Sequence, residues 1–342
     1  MRAVASTAAL SHQPPSVVAW FAGFGAAVLA VAVWSMGSWI LSADFRPTPI
    51  DPTEPGPPLH TIAFMRVFEA ACVIGALAVA RHCWITSRRE GRLSLPAIIA
   101  IAWGLQYWQD PMIQWIRPMF FYNAHFINMG NWSGHIPGWI NPTSHGYPSP
   151  LLFQGFMYPF LPLILSMAIA WCMRKAKQAR PDWGVTQLIL VAFGVAVVYD
   201  IVMELCFVRT GMYAYPNAVH ALTVWAGKPY QFPVYEAFFW GMVSSSTAIL
   251  YYFRDDRGLT VIDRGIERVR SVRWRSPIRV LAMFGFVTVP FSVYNVFMIL
   301  FSLHGDPTPD YPGWLRNGAC GPGTVYECPA PDAVIPPFTR AS

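Results

Sequence analysis

Seven long apolar segments constrain the fold of this chain more than any other feature. A helix needs roughly 20 predominantly apolar residues to cross a bilayer. Segments of that length occur at about residues 17–41, 61–85, 95–116, 151–173, 186–208, 233–253 and 279–303. Only 12% of the residues are charged, about half the content of an ordinary soluble domain. We therefore predict an all-α polytopic membrane protein with about seven transmembrane helices and the lipid bilayer as its first partner.

Lysine and arginine residues set the expected orientation. Most of the 24 basic residues follow the second, fourth and sixth apolar segments, and positive residues are retained on the cytoplasmic side. This predicts a cytoplasmic N-terminus and an external C-terminus for an integral membrane protein. The basic residues form no patch with interleaved aromatic residues, so we expect no nucleic-acid partner. The sequence does not indicate an oligomeric state.

The apolar segments also divide the chain into regions. We expect a cytoplasmic N-terminal segment (1–16), a seven-helix domain (17–303) and an external Pro/Gly-rich tail (304–342). Within the domain, two outer loops (117–150 and 209–232) are rich in aromatic residues and should fold over the helix ends as lids, while a basic inner loop covers 254–278. In the tail, Cys320 and Cys328 are either free or joined by a disulfide if that side is oxidising.

Five carboxylates lie within the predicted spans, and each is costly there unless it faces a cavity or a partner. They are Glu69, Asp110, Asp200, Glu204 and Glu236, and all fall in the outer half of their spans. Asp200 and Glu204 are one helical turn apart, so both cannot easily ionise and one should keep its proton. Such a pair suits general acid–base catalysis or proton-coupled transport. Pairing of Glu69 with Arg66, and helix capping by Glu236, are structural alternatives.

The outer loops and span ends supply polar and aromatic candidates for substrate contact. Aromatic faces beside acids would stabilise a developing cation, although such residues are often interfacial anchors. The candidates are Glu69, Tyr107, Trp108, His125, Tyr199, Trp225, Lys228, Tyr230, Gln231 and Tyr235. His125, His135 and His145 lack the short spacing of a typical zinc site, so we predict no metal.

Several phrases resemble one known family. The run from Tyr199 to Glu204, the stretch ALTVWAGKPYQFPVYE ending at Glu236, the segment WGLQYWQDPM (103–112) and the loop NWSGHIPGW (131–139) are similar to avermectin-type spirocyclases (AveC-like). The resemblance covers roughly residues 60–255. It implies an actinobacterial membrane protein of secondary metabolism whose acid–base chemistry needs no cofactor. The best-known member closes a dihydroxy-ketone into a spiroketal and also promotes dehydration.

The leading hypothesis is an intramembrane cyclase. A protonated carboxyl of the Asp200 and Glu204 pair would activate a lipophilic polyketide- or isoprenoid-like substrate, and Asp110 or Glu236 would take up the proton. One alternative is a terpenoid cyclase that uses the same acid on an alkene. Another is a proton-linked transporter or lipid-binding membrane protein, which predicts a polar path through the inner half of the spans, where no acids occur. A third is a partner-docking protein.

Overall fold

The chain is mostly helical in the computed structural model, which describes residues 16–142, 146–307, 310–316 and 319–320. The helices are α1 (Val17–Ile40), α2 (Leu59–Glu90), α3 (Leu95–Gln106), α4 (Gln154–Ala179), α5 (Val185–Arg209), α6 (Val234–Tyr252), α7 (Val272–Leu303) and the short α8 (Gly313–Arg316). Four two-residue strands form two antiparallel pairs: β1 (Phe121–Tyr122) with β2 (Tyr213–Ala214), and β3 (Thr223–Val224) with β4 (Phe232–Pro233).

Among the described residues, five helices are long and apolar enough to cross a membrane, namely α1, α2, α4, α5 and α7. The expectation of seven such helices is therefore met for five. The predicted third span (95–116) is a 12-residue α-helix, α3, that continues as a 3₁₀ helix over Tyr107–Gln114. The predicted sixth span is α6, a 19-residue helix in which Ser244, Ser245 and Thr247 are buried.

A proline and a buried glutamine explain two features of the third segment, its change of helix type and its low hydropathy. Pro111 lies inside the 3₁₀ helix, and proline removes the backbone donor that an α-helix needs. Gln106 donates through Nε2 to the Phe284 carbonyl oxygen at 2.9 Å and to Thr288 Oγ1 at 3.1 Å. Gln106, one of the residues that lower the hydropathy of this segment, therefore points into the bundle and binds α7.

The helices pack as a bundle around α4, which contacts α2, α3, α5 and α6. α1 packs on α7 at a very close crossing. A Cβ atom on Gly25 would lie 2.2 Å from the Leu281 carbonyl oxygen, and one on Gly285 would lie 2.3 Å from the Phe21 carbonyl oxygen. Small residues at such crossings let two backbones approach closely, so these two glycines position α1 against the bundle.

One end of the bundle, which we call the basic end, brings together the start of α1, the α2–α3 turn and the α6–α7 segment. Arg92 donates to the Arg257 carbonyl oxygen, and the Val18 amide donates to the Arg264 carbonyl oxygen at 3.2 Å. Arg279 forms a buried ion pair with Asp263, with Nε 2.8 Å from Oδ1. The segments that follow α2 and α6 therefore lie at the same end.

The opposite end, which we call the loop end, joins the segments after α1, α3, α5 and α7. Strand pairing of β1 with β2 joins the loop after α3 to the loop after α5. Arg316, in α8, contacts Glu54 at 3.3 Å, and Tyr311 donates to the Tyr215 carbonyl oxygen at 3.2 Å. Residues from after α7 thus pack over the paired loops.

The cysteines divide into two groups. Cys72, Cys83, Cys172 and Cys206 are free, whereas Cys320 is disulfide-bonded. Cys328, the expected partner of Cys320, lies outside the described residues.

Candidate active site

The four carboxylates predicted to be catalytic all line one cavity inside the bundle. Asp110 comes from the 3₁₀ helix, Asp200 and Glu204 from α5, and Glu236 from α6. α4 and α7 complete the helical wall, and side chains from both paired loops close the loop end. Residues far apart in sequence thus contribute acids to a single space.

Three of these acids form a tight cluster, which we call the acidic triad: Asp200, Glu204 and Glu236. Carboxylate oxygens from the three residues all lie within 4.8 Å of one another. The α5–α6 crossing is close because Gly241 faces Val197, where an added Cβ would lie 2.6 Å from Val197 Cγ2. This crossing brings the first turn of α6 against the last three turns of α5.

Tyrosine hydroxyls bind two members of the triad. Tyr213 donates to Glu204 Oε1, and Tyr215 donates to Glu204 Oε2 at 2.7 Å. Tyr294, on α7, donates to Glu236 Oε1 at 3.2 Å. Hydrogen bonds donated to a carboxylate favour its ionised form. Glu204 is the member of the triad with a hydroxyl donor on each of its two oxygens.

Asp110 forms a second acid centre in the same cavity. Tyr122 donates to Asp110 Oδ1 at 3.0 Å, and Tyr158 donates to the same oxygen at 3.3 Å. Gln154 Nε2 in turn donates to the Tyr122 hydroxyl at 2.5 Å. The chain Gln154–Tyr122–Asp110 therefore connects α4, the first loop and the 3₁₀ helix.

Several buried polar atoms of the cavity wall have no hydrogen-bond partner in the described part of the chain. They are Asp110 Oδ2, Gln154 Oε1, Asp200 Oδ2, Glu236 Oε2, Asn295 Nδ2 and Asn295 Oδ1. Asp200 and Glu236 lie within hydrogen-bonding distance of each other, so a proton shared between them would satisfy that pair. Buried polar groups are nearly always satisfied in native proteins, so the remaining atoms indicate a wall adapted to a polar ligand.

The predicted substrate-contact residues are distributed differently. Tyr199 lines the cavity, but the other nine are not among the described residues of its wall. Glu69 is 2% exposed; it forms an ion pair with Arg66 and accepts from the Ile127 amide at 2.9 Å. This is the structural alternative that its spacing from Arg66 suggested. His125 lies beside this pair, with its carbonyl oxygen bound by Arg66 at 2.6 Å.

The remaining predicted contact residues make hydrogen bonds or ring contacts outside the described cavity wall. The Tyr107 hydroxyl donates to the Ser149 and Pro150 carbonyl oxygens, and the Trp108 carbonyl oxygen accepts from Trp132. In the second loop, Arg209 stacks over the rings of Trp225 and Tyr230. Lys228 lies between these two residues in the chain, and its backbone amide donates to the Trp225 carbonyl oxygen. Gln231 and Tyr235 bind backbone groups. Gln231 Nε2 donates to the Tyr215 carbonyl oxygen, and the Tyr235 hydroxyl accepts from the Val219 amide.

The tyrosines that bind the acids, together with Asn295, are cavity residues that the sequence reasoning did not select. Tyr158, Tyr294 and Asn295 are polar groups within apolar helices, so the rule that selects intramembrane acids would also have found them. Tyr122, Tyr213 and Tyr215 belong to the aromatic loops, where nothing local separates a cavity residue from an interfacial anchor.

The triad oxygens are also close enough to hold a cation. Hard divalent cations prefer carboxylate oxygens, and three residues here each offer one within 4.8 Å. Both Glu204 oxygens accept tyrosine hydroxyls, however, which leaves Asp200 and Glu236 as the members with unpartnered oxygens. The sequence-based prediction of no metal is not tested by this geometry.

These features define a helical protein with several membrane-length apolar helices and a buried site of carboxylates and tyrosines. The model of the spirocyclase AveC-like family matches residues 88–319, and the chain belongs to this family. The match reaches further toward the C-terminus than the expected range of 60–255 and begins later. Comparisons with curated proteins and with solved structures gave no match.

Proposed function

We propose that this protein is a membrane-embedded cyclase that closes a lipophilic oxygen-bearing substrate by acid–base catalysis with its own carboxyl groups. The observation that carries the proposal is the meeting of four carboxylates from three helical segments in one cavity, with tyrosine hydroxyls bound to three of them. Family membership supports a cyclase-type activity.

The proposed membrane arrangement has seven crossings. α3 and its 3₁₀ extension have a combined contour of about 34 Å, and α6 has one of about 28 Å, close to the hydrocarbon thickness of roughly 30 Å. Contacts that unite the segments after α2 and α6 at the basic end, and those after α1, α3, α5 and α7 at the loop end, support an alternating path. With basic residues inside, the N-terminus is cytoplasmic, and the lids and tail face outward from a bacterial plasma membrane.

Protonation states follow from the hydrogen bonds of the triad. Three carboxylates within 4.8 Å cannot all ionise in a low-dielectric site. Glu204 is assigned as the anion because two hydroxyls bind it. Asp200 and Glu236 share a proton and act as the general acid. This changes the sequence-based hypothesis, in which Asp200 and Glu204 formed the proton-sharing pair, because the sequence could not place Glu236 beside Asp200.

The reaction then proceeds without an added reagent. One substrate hydroxyl adds to the ketone and gives a hemiketal. The Asp200–Glu236 acid protonates the hemiketal hydroxyl, the C–O bond breaks, water leaves, and an oxocarbenium ion remains. The second hydroxyl forms the new C–O bond and gives its proton to a carboxylate, which restores the acid. If Asp110 instead removes a proton from the adjacent carbon, the product is the dehydrated enol ether.

Aromatic walls suit the cationic intermediate. Phe120, Trp240 and Phe291 line the same cavity, and aromatic faces stabilise a nearby cation by about 0.5–2 kcal/mol. The anion at Glu204 adds direct charge stabilisation. An alkene substrate would use the acid and the aromatic walls but could not hydrogen-bond the unpartnered amide atoms of Gln154 and Asn295, so the oxygenated substrate is preferred over the terpenoid alternative.

The test uses purified protein in lipid nanodiscs and a linear ketone with a hydroxyl on each arm as the probe. Spontaneous closure gives equal amounts of the two mirror-image spiroketals, so an excess of one measures catalysis. The wild type should give such an excess. Asp200→Asn and Glu236→Gln should each lower the enzymatic rate at least about 100-fold.

Glu69→Gln is the matched control, since Glu69 is an equally buried carboxylate outside the cavity wall and should retain activity once normal folding is verified. Unchanged product excess in both Asp200→Asn and Glu236→Gln would refute the catalytic role. A wild type that gives equal mirror-image products with this ketone and with the native lipid extract would refute the cyclase proposal.

A further inference from the structure

Asn295 is a polar residue of the cavity that the proposed chemistry leaves without a role. It lies on α7, is 4% exposed and lines the cavity. Neither its Nδ2 nor its Oδ1 atom has a hydrogen-bond partner in the described ranges. Burying an amide without hydrogen bonds is costly, so a purely structural residue at this position would be expected to be apolar.

The unpartnered atoms of the wall differ in their hydrogen-bonding character. Asp110 Oδ2, Gln154 Oε1 and Asn295 Oδ1 are oxygen atoms available as hydrogen-bond acceptors. The Asp200 and Glu236 oxygens share a proton in the proposed scheme. Among the buried wall atoms without a partner in the described ranges, Asn295 Nδ2 is the one nitrogen, and it donates in every protonation state of the acids. A bound molecule would therefore offer hydroxyl donors to most of these atoms and an oxygen acceptor to Asn295.

The position of Asn295 on α7 suits this role. Its neighbour in the chain, Tyr294, donates to Glu236, so the same helical turn holds one acid of the triad and presents the amide. Tyr294 and Asn295 are adjacent on α7, so the helix fixes their Cα positions relative to each other, and the Tyr294 hydroxyl connects this turn to Glu236 on α6. Such a site would orient a substrate oxygen relative to the proton donor.

We infer that Asn295 is the specificity residue that recognises the carbonyl oxygen of the substrate through Nδ2 and orients the molecule for proton transfer. The inference rests on the proposed function and adds to it a residue that recognises the substrate carbonyl group. Its side chain binds and orients, whereas the carboxyl groups move the proton.

The experiment compares two probes in the wild type and in Asn295→Leu, a substitution of similar size without polar atoms. The probes are the linear dihydroxy-ketone and the diol of equal length that lacks the carbonyl. Both proteins carry Asp200→Asn, which blocks closure of the ketone, and binding in nanodiscs is measured by calorimetry. The protein with Asn295 should prefer the ketone, and Asn295→Leu should lose about 10- to 100-fold in ketone affinity with little change for the diol.

Thermal stability provides the readout that separates recognition from structure. Because Asn295→Leu removes an unsatisfied buried amide, its melting temperature should equal or exceed that of the wild type. Asn295→Ser keeps a donor and should recover part of the ketone preference, and it serves as the second variant if the leucine protein does not fold. Val296→Leu, at a position 53% exposed on the same helix, is the control.

The outcomes are distinct. If the wild type closes the ketone with mirror-image excess and Asn295→Leu retains the ketone preference, the role of Asn295 is refuted and the cyclase proposal stands. An equal loss of affinity for both probes, together with a lowered melting temperature, indicates that Asn295 has a structural role and also refutes the inference. If the wild type neither binds nor closes the ketone, the proposed function itself fails.

Discussion

Tyr122 and Tyr213 are directly paired across the two loops at the loop end, as opposed residues of β1 and β2. Their ring centroids lie 6.0 Å apart at nearly a right angle. The Tyr122 hydroxyl binds Asp110 and the Tyr213 hydroxyl binds Glu204. One pair of backbone partners thus connects the two acid centres of the cavity, so the loops that close the cavity also position its acids.

Tyr213→Phe should lower cyclisation about 10-fold, because it removes one of the two hydrogen bonds that stabilise the Glu204 anion. Tyr213→Phe combined with Tyr215→Phe should have a larger effect than either change alone. Initial rates with the dihydroxy-ketone in nanodiscs provide the measurement.

Tyr230→Phe is the control for this prediction. Tyr230 stacks with Arg209 and lies outside the described cavity wall, so its hydroxyl should be dispensable. Equal rates for wild type and the Tyr213/Tyr215 double variant would show that Glu204 needs no tyrosine donors.

Gly285→Ala should destabilise the bundle, by about 1–3 kcal/mol as for other overpacked positions. The new Cβ would meet the Phe21 backbone oxygen, which cannot move without displacing α1. Gly37→Ala, on α1, is the matched control because an added Cβ there has no heavy atom within 4 Å. Melting temperatures in detergent compare the two; an equal melting temperature for Gly285→Ala and wild type would contradict the close crossing.

Arg279→Met should destabilise the protein by about 3–5 kcal/mol, since it leaves Asp263 buried without its partner. Both side chains are 4% exposed. The double variant Arg279→Met with Asp263→Leu removes both charges and should recover much of the loss. Thermal melts of the wild type, Arg279→Met, Asp263→Leu and the double variant measure the coupling, and additive effects of the two changes would argue against a coupled pair.

His125 should make stability depend on pH. Burial, and secondarily the Arg66 guanidinium, lower the pKa of His125 from its ordinary value of 6.5. The folded protein therefore binds fewer protons than the unfolded chain, so this contribution is complete above about pH 6.5 and declines as the pH falls toward the folded pKa. The difference in melting temperature between the wild type and His125→Gln should therefore shift against the wild type as the pH falls from about 7 to 5.5. Superimposable pH curves for the two proteins would contradict this role.

Much of the architecture could be predicted from hydropathy. Five of the expected spans are membrane-length helices in the structure, and the low hydropathy around Gln106 and Asp110 corresponds to the segment where α3 ends. The acids were also found by a local rule, because a carboxylate within an apolar segment is conspicuous by itself. Substrate-contact residues in the loops were harder to assign, since an aromatic ring at a helix end has the same local sequence whether it lines a cavity or packs elsewhere.

Sequence alone determined which segments are apolar helices, which carboxylates they carry and that Asp200 and Glu204 share a helical face, because burial cost and helical spacing are properties of short segments. Tertiary structure decided that Glu236 packs beside Asp200, that Glu69 forms an ion pair with Arg66, and that tyrosines from both loops bind the acids. These relationships depend on how helices cross and how distant loops pair. Such contacts join residues that are far apart in the chain, and no local pattern records them.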